Sequence, residues 1–150
     1  GVIAAAQLVR PERTNPAIDV TRTLEAQIGA TSGLVAVVHR ACADCHSNRT
    51  VWARYTRTAP LSWVITRGVT EGRKAVNFSE WARYSPEARR ALLDASCRDA
   101  ASGKMPMRAY LMLRPEARLS PRDVETICVA ARASQPRTAS TVHTSSRSAP

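Results

Sequence analysis

The sequence is poor in aromatic residues and contains no long apolar run. It has one Phe, three Trp and three Tyr among 150 residues, so a large apolar interior must come mostly from aliphatic side chains or from a bound cofactor. No stretch reaches the about 18 apolar residues that a membrane span requires. The apolar start, GVIAAAQLV, is too short to cross a bilayer. We interpret it either as the trimmed end of a signal or anchor segment or as an ordinary buried segment.

Acidic residues are also few relative to basic ones. The chain has 12 Asp and Glu against 22 Lys and Arg, which gives a net charge of +10. Such a field attracts nucleic acid, anionic lipid or an acidic protein. A nucleic-acid interface would require a basic stripe interleaved with aromatics, or a reader motif. The arginines are instead scattered from Arg10 to Arg147, so we predict a basic, solvated surface and no nucleic-acid partner.

Composition divides the chain into three parts. Residues 1–17 contain Pro11 and Pro16 and are predicted to be an extended lead-in, because the residue before a proline disfavours helix. Residues 134–150 are rich in Ser, Thr, Arg and Pro and cannot bury enough apolar area to offset their ordering entropy. We predict a disordered tail there. Residues 18–133 are sufficient for one small domain.

Apolar residues of this domain recur at helical spacing. Leu34, Val37, Val38 and Ala41 form one apolar face. A Ser followed by Pro marks a helix start at Ser85 and again at Ser120, where Asp123 completes a near capping box, and Ser62 is a third candidate cap. The helix that begins at Ser85 should end near Gly103. Alternating β patterns are essentially absent, which predicts an all-α fold with long connections.

The chemistry of the chain is concentrated in Cys42-Ala43-Asp44-Cys45-His46. The spacing Cys-x-x-Cys-His is the attachment signature of c-type haem, in which two thiols form thioethers with the vinyl groups and the histidine is the proximal iron ligand. A zinc site would need a second close ligand pair, whereas Cys97 and Cys128 are isolated. A thioredoxin-like redox pair would need a βαβ context. Zinc, redox and chance matches remain alternatives to the favoured haem interpretation.

The loop Gly103-Lys104-Met105-Pro106-Met107 offers a sixth iron ligand. A methionine thioether is a soft ligand suited to haem iron, although methionines more often fill cores. Met105 is favoured over Met107 because the following proline restricts its backbone. His39 lies on the helix that leads into the attachment motif, and His143 lies in the predicted tail, so both are weaker candidates.

Several segments together resemble the bacterial haem-binding domain family of c-type cytochromes. They are residues 41–50, 59–63, 71–73, 77–81, 103–106, Tyr110 and 115–120, with a lead-in at 7–16. The resemblance covers about residues 7–132. It implies a small cytochrome c-like helical domain wrapped around one covalently bound haem c, in a periplasmic or otherwise exported protein that is anchored to a membrane through a segment upstream of residue 1.

The sequence departs from that family at two places. Arg114 stands where many relatives have His, which removes an alternative ligand or propionate contact. Ala53-Arg54 stands where the family usually has Pro-Trp, which weakens aromatic shielding near the haem.

Three further residues are candidates for contacts around the haem. In c-type cytochromes a proline carbonyl about a dozen residues after the histidine accepts its ring N–H, and Pro60 fits that spacing. The alternative is that Pro60 only begins a turn. Trp63 and Arg73 are candidates for the haem edge and a propionate, against the ordinary roles of a core Trp and a solvated Arg.

Cys97 and Cys128 lie on the predicted inner faces of the two helices that flank the methionine loop. If their Cα atoms lie about 5.5 Å apart they can form a disulfide, which the oxidising environment of an exported protein permits. The alternative is two unpaired buried thiols.

The favoured function is electron transfer, with His46 and Met105 saturating the iron so that no substrate binds and no enzymatic activity is expected. The alternative is a haem-based sensor or peroxidase-like protein with a labile or open sixth position. A peroxidase should also offer a distal acid–base residue, and no suitably placed His is evident. Redox proteins are the expected partners, and the positive charge favours partners with acidic surfaces. The sequence indicates no particular oligomeric state.

Overall fold

The computed structural model describes residues 8–135, and this part of the chain contains α-helices and 3₁₀-helices but no strand. The predicted all-α class is therefore confirmed. The apolar segment up to residue 7 lies outside the described residues, as does the predicted tail from residue 136 onward with His143. No helix in residues 8–135 is long and apolar enough to cross a membrane.

Seven α-helices make up most of the domain. They are α1 (Leu24–Ile28), α2 (Gly33–Ala41), α3 (Ala43–His46), α4 (Leu61–Ala75), α5 (Pro86–Ala101), α6 (Arg108–Leu113) and α7 (Pro121–Ala133). Short 3₁₀-helices occur at Val20–Arg22, Arg54–Arg57, Phe78–Arg83 and Pro115–Ala117. The long connections that the sequence predicts separate α3 from α4 and α4 from α5.

Two of the three predicted helix starts are confirmed. The Ser85 hydroxyl accepts a hydrogen bond from the Ala88 amide at the start of α5, and Ser120 forms a reciprocal capping box with Asp123 at the start of α7. The α5 helix ends at Ala101, and Gly103 follows with φ +69°. A residue with a side chain is strained at such a φ, so glycine suits this stop.

The predicted cap at Ser62 is wrong by two residues. The α4 helix begins at Leu61, with Pro60 in the capping position. The amide of Ser62 donates to the Thr58 carbonyl at 2.9 Å, so this serine is already inside the first turn. Its hydroxyl is therefore not a cap, and among the described residues no side chain caps the start of α4.

The core is formed where α2, α5 and α7 meet the segment that precedes α5. Its buried apolar residues include Leu24, Leu34, Val35, Val37, Val38, Phe78, Trp81, Leu93 and Ile127. The α5 and α7 helices are also joined covalently, since Cys97 and Cys128 form a disulfide with a Cα–Cα distance of 4.8 Å. The predicted bridge is confirmed, and the alternative of two unpaired thiols is excluded.

Candidate functional site

One helical turn brings the residues of the attachment motif together. The amide of Cys42 donates to the Val38 carbonyl at the end of α2, and the amide of His46 donates to the Cys42 carbonyl at 3.0 Å. The short α3 helix therefore follows α2 directly, with Cys42 between the two helices. Cys42 and Cys45 are free thiols in this arrangement.

Cys42, Cys45 and His46 border an apolar cavity of about 270 Å³. Leu34, Val38, Leu92, Leu93 and Ile127 contribute aliphatic lining, and Met105 and Met107 contribute thioethers. The cavity thus brings together two thiols, an imidazole and two methionine sulfurs among aliphatic side chains. That combination is the environment in which a large apolar cofactor with a metal centre is held.

The imidazole of His46 is fixed in one tautomer. Its Nδ1 lies 2.9 Å from the carbonyl oxygen of Gly72, and a carbonyl oxygen only accepts, so Nδ1 donates. This leaves the lone pair on Nε2 available to a metal, in the usual arrangement of a ligating histidine. Burial lowers the pKa of His46, although hydrogen bonds to the Gly72 and Val76 carbonyls oppose the shift. The neutral form that can bind iron is therefore favoured.

The prediction that Pro60 accepts the His46 proton is wrong. The Pro60 carbonyl instead accepts the amides of Trp63 and Val64 in the first turn of α4. Gly72, near the end of that helix, approaches α3 so closely that a Cβ on it would lie 2.4 Å from the Cys45 carbonyl oxygen. The residues Glu71-Gly72-Arg73 carry part of the family resemblance, and they were the available signal for this contact.

Trp63 and Arg73 are not among the residues that line the cavity. The Trp63 indole Nε1 donates to the Val9 carbonyl at 2.9 Å, and its side chain is partly exposed. The Arg73 guanidinium donates four hydrogen bonds to protein oxygens, those of Ser47, Thr50, Thr14 and Asn15. Arg73 therefore binds the lead-in to the segment after His46. Direct haem contacts of Trp63 and Arg73 stay predictions.

Burial keeps both free thiols protonated. It raises the pKa of Cys42 to about 12 and that of Cys45 to about 11, and Asp44 contributes to the latter. A zinc site would need ligands beyond the attachment motif. Cys97 and Cys128 cannot supply thiolates, because they are joined to each other in a disulfide. Neutral thiols in an apolar cavity suit addition to a carbon–carbon double bond better than coordination of a zinc ion, which requires thiolates.

Both methionines of the loop, Met105 and Met107, line the cavity. The Met105 amide donates to the Asp99 carbonyl at 3.0 Å, which fixes the loop against the end of α5. Met107 is 43% exposed, and its Cε lies 3.9 Å from the position of a Cβ built on Gly68. His39, the rival ligand, is instead bound to Glu25 and is not among the lining residues.

The sequence did not reveal that Asp44, Tyr110 and Arg114, next to the site, bind one another. The Asp44 carboxylate accepts hydrogen bonds from the Tyr110 hydroxyl at 2.8 Å and from the Arg114 guanidinium at 2.9 Å. Burial and the neighbouring carboxylate raise the pKa of Tyr110. Tyr110 also lines the cavity. Its place in the family resemblance was a signal, but its partner was not visible in the sequence.

The residues present fit a covalently held haem. Two thiols and a histidine with a free Nε2 occur at the required spacing, and the missing side chain of Gly72 allows α4 to lie against them. A thioether for the sixth position is available from the methionine loop. Each element of the donor set is thus matched by a feature of this structure.

Comparison with known families gives a match over residues 1–132 to the family model described as the haem-binding domain. Comparisons with curated proteins and with solved structures found no match.

Proposed function

The chain belongs to the haem-binding domain family, and from this premise we propose that it is a monohaem c-type cytochrome that transfers electrons. In this proposal Cys42 and Cys45 hold the haem as thioethers, and His46 and Met105 are the axial ligands. The observation that carries it is the single cavity that all four of these residues line.

Attachment uses the two cysteines as neutral thiols. Each would hold the haem as a thioether: an S–H bond and a vinyl π bond would be exchanged for a C–S and a C–H bond, so no atom would be lost and no oxidant required. The raised pKa values of both thiols mean that the proton needed for this addition is present at neutral pH. When bound, the haem supplies an iron that takes up and releases one electron.

The axial residues set the chemistry of that iron. The Gly72 carbonyl orients the His46 ring and holds its proton on Nδ1, which directs Nε2 toward the metal. A methionine as the second ligand raises the reduction potential relative to a second histidine. The mainly apolar lining would favour the less charged, reduced iron.

The sensor or peroxidase-like alternative requires an open sixth position and an acid–base group beside it. Among the described residues that line the cavity, His46 is the one histidine. The Asp99 carboxylate also lines it but pairs with the Lys104 ammonium at 3.2 Å. The lining therefore supports electron transfer more than chemistry on a bound oxygen species.

Carbon monoxide titration of the reduced protein tests this choice. A carrier with two protein ligands should bind carbon monoxide slowly and incompletely, and the oxidised protein should show the weak long-wavelength absorption band of a methionine–iron bond. Rapid, complete binding, with no such band, would establish the open-site alternative.

We also propose that the protein acts outside the cytoplasm, tethered to a membrane through a segment upstream of residue 1, and that it exchanges electrons with acidic redox proteins. The location outside the cytoplasm is supported by the disulfide, which is typical of oxidising compartments, and the acidic partners by the net charge of +10. The tether rests on the family resemblance of the lead-in at 7–16.

A further inference from the structure

The loop that carries Met105 is held differently at its two ends. On one side the Met105 amide is bonded to Asp99 in α5, and α5 is joined to α7 by the disulfide. On the other side lies α6, a helix of six residues in which none is fully buried. Met112 of this helix is 85% exposed. Because apolar burial does not hold α6 strongly, its position depends on polar contacts.

Those contacts converge on Asp44. Tyr110 in α6 and Arg114 directly after it donate to the same carboxylate oxygen, across 66 and 70 residues of sequence. The carboxylate itself is held independently of α6, since its other oxygen accepts the Val51 amide at 3.0 Å. Asp44 is thus a fixed acceptor on α3, between the two cysteines of the attachment motif.

The surroundings make these hydrogen bonds stronger than surface contacts. The side chains of Asp44 and Arg114 are only 15% and 26% exposed, so solvent screens their attraction less than that of a surface pair. The Tyr110 ring lies along the cavity while its hydroxyl reaches the carboxylate. Hydrogen bonds to a charged group are stronger than those between neutral groups, and losing one changes a local opening equilibrium by about tenfold or more.

We propose that Asp44, Tyr110 and Arg114 form a latch, called here the Asp44 latch, that holds α6 and with it the methionine loop over the cavity. These are positioning residues: they determine how readily the sixth coordination position opens to a small external ligand. This consequence at the iron rests on the proposed function, whereas the anchoring of α6 to α3 does not.

The test uses the holoprotein and the variants Tyr110→Phe and Asp44→Asn. Hydrogen exchange of the amides in residues 108–114 reports the opening of α6, and the rate of carbon monoxide binding to the reduced protein reports the opening of the iron site. Both variants should raise exchange and binding rate by about tenfold, and both should weaken the methionine–iron band. Arg114→Lys, which keeps the positive charge beside Asp44, should retain most of the wild-type behaviour.

Ser85→Ala is the matched control. It removes the hydroxyl that caps α5, so it lowers global stability while leaving the hydrogen bonds of α6 and of Arg114 intact. The latch is refuted if Tyr110→Phe and Asp44→Asn change exchange and binding no more than this control. Tyr110→Phe keeps the test valid if Asp44→Asn fails to fold, because Tyr110 lies outside the attachment motif.

Separate measurements test the proposed axial ligation and the Asp44 latch. If the wild-type protein shows no methionine–iron band, the proposed axial ligation is wrong, and exchange in α6 still decides the latch. Faster exchange in Tyr110→Phe than in Ser85→Ala then supports the anchoring of α6, and equal exchange overturns it.

Discussion

Gly72 acts in the site through its lack of a side chain. Its carbonyl orients His46, and a Cβ would meet the Cys45 carbonyl at 2.4 Å. That neighbour is backbone and cannot rotate away. Gly72→Ala should therefore lower the free energy of unfolding by about 1–3 kcal/mol, as overpacking does, and should reduce haem occupancy. Unfolding by denaturant, followed by helical circular dichroism, measures the first effect.

Gly68 provides the control on the same helix. The nearest atom to a Cβ there is the flexible end of Met107 at 3.9 Å, which is an ordinary contact. Gly68→Ala should be neutral or should stabilise α4 by up to about 1 kcal/mol through helix propensity. Equal effects of the two substitutions on the free energy of unfolding would show that the close approach at Gly72 does not limit stability.

The two methionines of the loop can be separated by substitution. Met105→Ala should give a five-coordinate or water-ligated haem with a lower reduction potential and faster carbon monoxide binding, because the thioether that favours Fe(II) is lost. Met107→Ala should leave the absorption spectrum nearly unchanged, because this partly exposed side chain only packs at the cavity. Spectra and redox titrations of both variants decide the assignment, and the reverse result would make Met107 the ligand.

At the scale of single residues, the sequence predicts which residues lie together where their spacing along the chain alone brings them close. Cys42, Cys45 and His46 lie within one turn, so any helical path brings them together. The prediction failed for the acceptor of the His46 proton, because every residue has a carbonyl and only the path of α4 selects that of Gly72. Asp44 and its partners were missed for the same reason, since 66 and 70 residues separate them.

At the scale of the elements, the helix starts at Ser85 and Ser120 could be predicted because a cap is a local interaction within four residues. The start of α4 was misplaced because the sequence offers both Pro60 and Ser62 as signals. The pairing of Cys97 with Cys128 could be predicted from two apolar helix faces, together with the absence of other partners outside the attachment motif.

The disulfide should contribute strongly to stability. It closes a loop with a sequence separation of 31 residues, for which the chain-entropy model gives a stabilisation of about 3.7 kcal/mol. The double substitution Cys97→Ala and Cys128→Ala should lower the free energy of unfolding by about that amount. Reductant should lower the stability of the wild-type protein equally and leave the double variant unchanged. A variant as stable as the wild type would contradict this contribution.

At the scale of the whole molecule, the net charge of +10 should control encounters with small redox reagents. Oxidation of the reduced protein by anionic ferricyanide should slow as ionic strength rises, because salt screens a long-range attraction. Oxidation by a cationic cobalt(III) complex should accelerate under the same conditions. Stopped-flow rates that are independent of salt for both reagents would show that the basic surface does not face the route to the iron.

The central claim is that Cys42 and Cys45 hold one haem covalently, and the intact mass under denaturing conditions tests it most directly. The protein should be produced with export and haem attachment available. Its mass should then exceed that of the polypeptide by one haem, and this increment should disappear in the Cys42→Ala/Cys45→Ala variant. A folded protein that has the mass of the bare polypeptide, or that releases its haem on denaturation, would contradict the account.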